Sequence, residues 1–392
     1  MLDLRVDNVR LYPMSGDSRP AAARSFGVRD GRIVDSGTSA PARQVVDARE
    51  RVVLPGFVDC HTHALYAGDR MDEHLRKLAG ATYAQIAASG GGIVSTVRSV
   101  RAASRAELVA QTRPRLAALA SEGVTTVEIK SGYGLSVEDE IKMLEAIADL
   151  AGDVPQRILP TFLGAHAVPP GTTRDEYLES LLAEALPQIA RRGLAHAVDI
   201  FIESIAFSVA DARRLFTRAR ELGLHVKAHC EQLSLTGASA VAAEFGALSC
   251  DHLEFLDAAG AATMARAGSV AVLLPGAFYF LRETRKPPVA LLREHRVPMA
   301  VASDLNPGSS PVASLLTCLH MAVTSFGLTP EEALLGVTYN AARALGRDDL
   351  GTLEPGRRAD FTLWDIPEPA FLAYQLGGLR PVATYIEGKN IA

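Results

Sequence analysis

Apolar residues along this chain come in two rhythms. Between about residues 50 and 346, short runs rich in Val, Ile, Leu and Ala alternate with stretches in which apolar positions recur at helical spacing. Eight runs read as strands: Val52–His63, Val124–Ser131, Arg157–His166, Ala197–Glu203, His225–His229, Leu248–Leu253, Ser269–Pro275 and Pro298–Asp304. Several of the helices between them have legible starts. Ser208-Val-Ala-Asp211 is a capping-box opening before Leu215 and Leu222. Thr329-Pro-Glu-Glu332 offers an N-cap, a proline at the first helical position and early acids before Leu334 and Leu335. Strand–helix alternation repeated eight times predicts an α/β fold, a (β/α)8 TIM-like barrel over residues 55–346. The ends carry only short strands and turns. Residues 1–54 and 347–392 are each too short for a core of their own, and they predict a small β-sandwich domain built from both chain ends with the barrel inserted between.

Composition narrows the function classes. With 392 residues, 48% hydrophobic and 22% charged, the chain can bury one large core and a smaller one. Its 40 basic residues are outnumbered by 45 acidic ones and form no long run, so no nucleic-acid partner is expected. No apolar stretch reaches the roughly 20 residues of a membrane span. The opening Met-Leu-Asp-Leu-Arg-Val-Asp lacks a signal pattern, which makes the cytoplasm the expected location. Four cysteines do not make a disulfide framework. Cys60 and Cys230 adjoin candidate histidines, but neighbours on a strand face opposite ways, so they read as packing thiols behind a site.

The chemistry-bearing residues fall at the carboxyl ends of these runs, where barrels place their catalytic groups. His61 and His63, two apart in Pro55-Gly-Phe-Val-Asp-Cys-His-Thr-His63, aim both imidazoles to one side of a strand. His229, His252 and Asp304 each end another run. His61, His63, His229 and Asp304 supply the N and O donors of a catalytic zinc-type site with an open position for water. One divalent transition metal is expected, and N/O donors suit zinc and iron alike. His252 is the candidate proton carrier, with Asp304 touching metal and water. No lysine stands where a second metal would be bridged, and Lys130 reads as an ion-pair partner. Candidate substrate contacts lie on the following loops. Arg70 can fork onto a carboxylate, Tyr133 sits between two glycines, and His166 ends a third run. Asn306, Gly308 and Ser309 belong to a turn rich in donors suited to an anion. Gly90-Gly-Gly92 reads as a lid hinge.

These residues resemble the amidohydrolase superfamily: Pro-Gly-Phe-Val-Asp-x-His-x-His, a lone histidine on the fifth strand, a histidine on the sixth and an aspartate on the eighth. Within it, Ala67-Gly-Asp-Arg70, Gly90-Gly-Gly-Ile93, Glu128-Ile-Lys-Ser-Gly-Tyr-Gly-Leu135, Phe162-Leu-Gly-Ala-His166 and Ser303-Asp-Leu-Asn-Pro-Gly-Ser309 resemble the imidazolonepropionase family, ring-opening hydrolases of histidine breakdown. The resemblance covers about residues 55–310. It implies one zinc or iron ion on His61, His63, His229 and Asp304, and 4-imidazolone-5-propionate bound by Arg70, Tyr133, His166, Gln232 and Ser309. The product, N-formimidoyl-L-glutamate, would meet Asn306 and Gly308, and Tyr83 matches a further tyrosine near the pocket. A metal-activated water would attack the lactam carbonyl while His252 and Asp304 move the proton. The superfamily also implies a homodimer. Related deaminases carry an acid three residues after the lone histidine, where this chain has Gln232, with Glu231 expected to face away. A glutamine cannot protonate a ring nitrogen, which favours lactam hydrolysis over a cytosine- or guanine-type aminohydrolase. A non-catalytic scaffold on this fold would lack ligands that this chain keeps.

Overall fold

A computed structural model describes residues 1–81, 85 and 90–391 of the chain. Tyr83 lies outside them. Eight parallel strands follow one another in chain order around a barrel: Phe57–Asp59, Val124–Lys130, Arg157–Ala165, Ala197–Ile202, a strand broken at Lys227 (His225–Val226 and Ala228–Cys230), Ser249–His252, Val270–Leu273 and Met299–Val301. The ring closes just beyond the last assigned residues. Thr62 bridges Leu305 in parallel, Asp304 N donates to His61 O at 3.0 Å, and His63 N donates to Leu305 O at 3.0 Å. The Asp59 carboxylate adds to the seam by accepting from Ser303 N (3.1 Å) and Ser303 Oγ (2.5 Å). The α/β fold, a (β/α)8 TIM-like barrel, is therefore the one expected.

The first strand differs from its expected extent. Val52–His63 is two strands with a break at Gly56: Val52–Pro55 pairs antiparallel with Phe361–Trp364, and only Phe57–Asp59 joins the barrel beside Val124–Lys130. A Cβ on residue 56 would stand 2.3 Å from Thr125 Oγ1, so the crossing between sheets needs glycine. The other strands lie within a few residues of their expected limits, as boundaries of this kind do. Helices cover the outside. Ser208 forms the capping box read from the sequence with Asp211, and Thr329, read as an N-cap, forms one as well with Glu332.

Both chain ends contribute to two further sheets. One has four strands (Leu2–Asp7, Ser25–Arg29, Arg32–Ser36, Ala42–Asp47); the other has five (Arg10–Leu11, Val52–Pro55, Phe361–Trp364, Ala383–Ile386, Lys389–Asn390). They share an apolar cluster, separate from the barrel's, that includes Leu4, Val6, Phe26, Ile33, Val53, Phe361 and Tyr385. Phe361 stacks on Tyr385 with ring centroids 4.4 Å apart and meets the Phe26 edge at 5.1 Å. Trp364 stacks on Phe57 at 5.7 Å and so ties the five-stranded sheet to the first barrel strand. Among the described residues no helix is long and apolar enough to cross a membrane.

Candidate active site

The strand ends bring His61, His63, His229, His252 and Asp304 together, each no more than 3% exposed. Two imidazoles are oriented from behind. His61 Nδ1 lies 2.6 Å from Asp251 Oδ2, and His229 Nδ1 lies 3.0 Å from Asp199 Oδ2. A carboxylate on Nδ1 keeps the proton there and leaves Nε2 a lone pair aimed into the barrel mouth. Those Nε2 atoms converge. His63 Nε2 is 3.3 Å from His229 Nε2, and Asp304 Oδ1 is 3.5 Å from Nε2 of both His61 and His63. His61, His63 and His229 each bring a donor atom within 4.8 Å of the others. Burial first, then Lys130 for His61 and His166 for His63, holds both imidazoles far below the usual histidine range, so they are neutral. The fit to a cation rests on an unpaired atom. Among the described residues, buried His61 Nε2 has no hydrogen-bond partner, and such an atom is costly unless something accepts its lone pair. Neutral imidazoles with one carboxylate suit a divalent transition ion.

Strain accompanies this convergence. Asp304 (φ 51°) and His252 (φ 82°) sit in the left-handed region, which costs a non-glycine residue about 1–3 kcal/mol and persists where surrounding structure enforces it. His252 stands beside the donor trio rather than in it, its ring centroid 5.4 Å from that of His229 and 5.8 Å from that of His61. Burial, reinforced by His229, keeps it neutral as well.

One layer deeper lies a charged floor that the sequence reading had reduced to Lys130. Lys130 Nζ is 2.8 Å from Asp199 Oδ2 and 2.8 Å from Glu128 Oε2. Lys227 Nζ is 2.8 Å from Glu128 Oε1 and donates to Cys60 O at 2.9 Å. All five charged groups of this floor, Asp251 included, are fully buried. Burial alone would neutralise Lys130, but Asp199 and Glu128 overcome it and push the ammonium above its usual range. Asp199 and Asp251 also approach His229 closely enough to suggest a second donor group, yet the lysines already meet those carboxylates. The inward period of two (Glu128 and Lys130; Lys227 and His229) is the signal that could have shown this layer.

Above the donors opens a cavity of about 420 Å³ lined by every expected substrate residue: Arg70, Tyr133, His166, Gln232, Asn306, Gly308 and Ser309. Several are held by neighbours that sequence reasoning missed. Arg70 Nε donates to Glu73 Oε2 (2.9 Å), and the guanidinium passes so close to Gly308 that a Cβ there would lie 1.9 Å from Nη1. Gly308 therefore makes room for Arg70. Buried Glu140 accepts from the amides of Gly132 (2.8 Å), Gly134 (2.8 Å) and Leu135 (2.9 Å), which fixes the loop presenting Tyr133. Burial and then Asp304 raise the Tyr133 phenol, so it stays protonated. His166 Nδ1 bonds to Gly132 O at 3.0 Å, and burial pushes its pKa down to about 4. Glu203 accepts from Leu233 N (2.8 Å) and Ser234 Oγ (2.6 Å), anchoring the loop that carries Gln232. Glu231 turns away as expected, its carboxylate taking Ser239 N at 3.1 Å.

Two expectations are refined. The Asn306 side chain folds into its own turn, with Oδ1 accepting from Gly308 N (2.8 Å) and Ser309 N (2.7 Å), so it shapes the loop. Gly92 is tied down rather than free: its amide donates to Glu73 Oε1 at 3.0 Å as the helix Ile93–Ala102 begins. The four cysteines are buried free thiols, and none joins a donor group among the described residues.

An eight-stranded parallel barrel whose mouth converges three imidazoles and a carboxylate defines a class, and the chain belongs to it: the amidohydrolase family, whose model matches residues 52–391. More particular relatives cover almost its whole length. An imidazolonepropionase of Methylobacterium nodulans is 53% identical over 381 residues, spanning 94% of this chain and 95% of that protein. One from Xanthomonas campestris pv. campestris is 50% identical, spanning 98% of each. Among solved structures, 5-methylcytosine deaminase from Klebsiella pneumoniae superposes with a TM-score of 0.73 at 18% identity over 99% of this chain and 98% of that one. An adenosine deaminase from Xanthomonas campestris with bound zinc gives a TM-score of 0.69 at 19% identity, covering 99% and 92%. At those identities the structural neighbours speak for the fold alone.

Proposed function

We propose that this chain hydrolyses the lactam ring of 4-imidazolone-5-propionate to N-formimidoyl-L-glutamate. The observation that carries the reading is a single cavity lined both by members of the donor set (His63, His229, Asp304) and by the Arg70 guanidinium. The first suits hydrolysis of an amide bond and the second a carboxylate side arm. The near-full-length imidazolonepropionase relatives support the same substrate.

A divalent ion on His61, His63, His229 and Asp304, zinc or iron, would supply an acidified water and polarise a carbonyl. The chain's own groups do the rest. Arg70 binds the side-arm carboxylate through the guanidinium nitrogens that Glu73 leaves free. Tyr133 donates its retained phenol proton, and His166, its Nδ1 engaged by Gly132 O, offers Nε2 to the ring. Gln232 hydrogen-bonds the imidazolone without protonating it. Neutral His252, with Asp304, takes the proton of the attacking water and returns it to the ring nitrogen as the C–N bond breaks. Ser309 and the amide of Gly308 border the product's carboxylate. No cavity-lining residue comes from residues 1–54 or 347–392, and we assign that two-sheet part as a support for the barrel. The reading includes a homodimeric cytoplasmic enzyme, and the excess of acidic over basic residues speaks against a nucleic-acid partner.

The test is the absorbance loss of freshly generated imidazolone propionate, with the product identified by mass. Wild type should consume it, whereas Asp304→Ala and a chelated sample should not. An enzyme that leaves this substrate intact but releases ammonia from cytosine or guanine would overturn the proposal in favour of an aminohydrolase.

A further inference from the structure

We propose that Lys77 is the second cation of the cavity and binds, together with Arg70, the carboxylate of the substrate's side arm. This rests on the substrate reading above. Arg70 caps the helix Met71–Leu78, and Glu73 and Lys77 follow at the spacing that puts all three on one helix face. Glu73 is already committed on both oxygens, to Arg70 Nε at 2.9 Å and to Gly92 N at 3.0 Å. Glu73, four residues before Lys77, therefore attracts it only from a distance, and Lys77 forms no ion pair among the described residues. Yet it lines the cavity beside Ile93 and Leu281, whose apolar surfaces can cover its methylene stem.

The charge balance then points to an anion. Two cations and one satisfied carboxylate leave this stretch of the wall with one positive charge in excess. Burial, and next to it the Arg70 guanidinium, draws the ammonium below the usual lysine range, as two like charges do when they share poorly hydrated space. A carboxylate entering between them relieves that repulsion. The guanidinium offers a planar fork, and the ammonium adds a point charge with freely rotating donors. Lys77 also borders an adjoining cavity whose other charged lining residues, Arg282 and Glu283, are one of each sign and so leave the excess positive charge unchanged.

The experiment compares steady-state kinetics of wild type, Lys77→Met and Lys77→Arg on two substrates. One is imidazolone propionate, and the other is the same ring with the side-arm carboxylate converted to a primary amide. Loss of one charge-assisted contact should raise KM for the acid about tenfold in Lys77→Met, with kcat within about twofold. Lys77→Arg should recover most of that loss, and on the amide all three proteins should agree. An unchanged KM for the acid in Lys77→Met, or equal losses on both substrates, overturns the role of Lys77 while the substrate reading stands. A wild type inactive on the acid overturns both.

Discussion

Two layers of the barrel interior, one above the other, treat buried polar groups in opposite ways. In the floor, Lys130 and Lys227 reach Glu128 and Asp199 at 2.8 Å, so opposite charges meet within hydrogen-bonding distance. In the mouth, His63 and His229 turn Nε2 atoms toward one another at 3.3 Å, and His61 Nε2 has no hydrogen-bond partner among the described residues. The floor sets charge against opposite charge, whereas the mouth sets donor atom against donor atom. On the proposed function a cation would complete the upper layer, and the lower layer would permit it: Asp251 and Asp199 orient His61 and His229 from below.

The comparison can be broken from either side. The largest effect is expected at the mouth. His61→Ala should lower kcat at least about a thousandfold and abolish stoichiometric metal, read by turnover and by elemental analysis of the same sample. In the metal-free protein the same change should also cost about 1–3 kcal/mol, because it removes the Nδ1 bond to buried Asp251, and thermal unfolding after chelation checks this. Lys130→Met should weigh more heavily on stability. It leaves buried Asp199 without its ammonium and Glu128 with Lys227 as its one remaining cation, at a cost of about 3–5 kcal/mol, visible as a large fall in the urea midpoint even without metal.

A smaller effect belongs to the cavity wall. Gly308→Ala pushes a Cβ toward Arg70 Nη1 and should raise KM for the carboxylate substrate about tenfold, with kcat nearly unchanged. The smallest lies far from the site. Asp349, held by Arg347 and Arg358, has its carboxyl drawn down to about 2 against burial. Its ionised form is favoured in the folded state, so the stability it adds is present above the ordinary carboxyl range and fades as pH falls from about 4 towards 2. The side chain is largely solvent-screened, so the contribution is below about 1 kcal/mol. The gap in urea midpoint between wild type and Asp349→Asn should be constant near neutrality and should narrow over that acid window.

What was legible in the sequence follows the same division. The mouth could be read because catalytic donors fall at the ends of apolar runs, so His61, His63, His229, His252 and Asp304 stood out by position. The proposed substrate residues were legible through short motifs around Arg70, Tyr133, His166 and Ser303–Ser309. The groups that hold them were not. Glu73, Glu140 and Glu203 act on loops next to them, and in sequence they look like ordinary helix or strand-end acids. The floor was hidden because Lys227 and Asp251 lie within apolar runs, where a charge reads as an exception until the facing strands supply its partner. The break at Gly56 was missed for a related reason: the demand for glycine comes from Thr125, almost seventy residues away.

The most direct test of a cation-completed mouth is a chelation and reloading titration with metal content and turnover measured on the same samples. Turnover of imidazolone propionate should fall in proportion to metal removed, and it should return on adding zinc or iron with an end point near one ion per chain. Undiminished turnover in protein stripped of metal would contradict it and leave the convergence of His61, His63, His229 and Asp304 without a purpose.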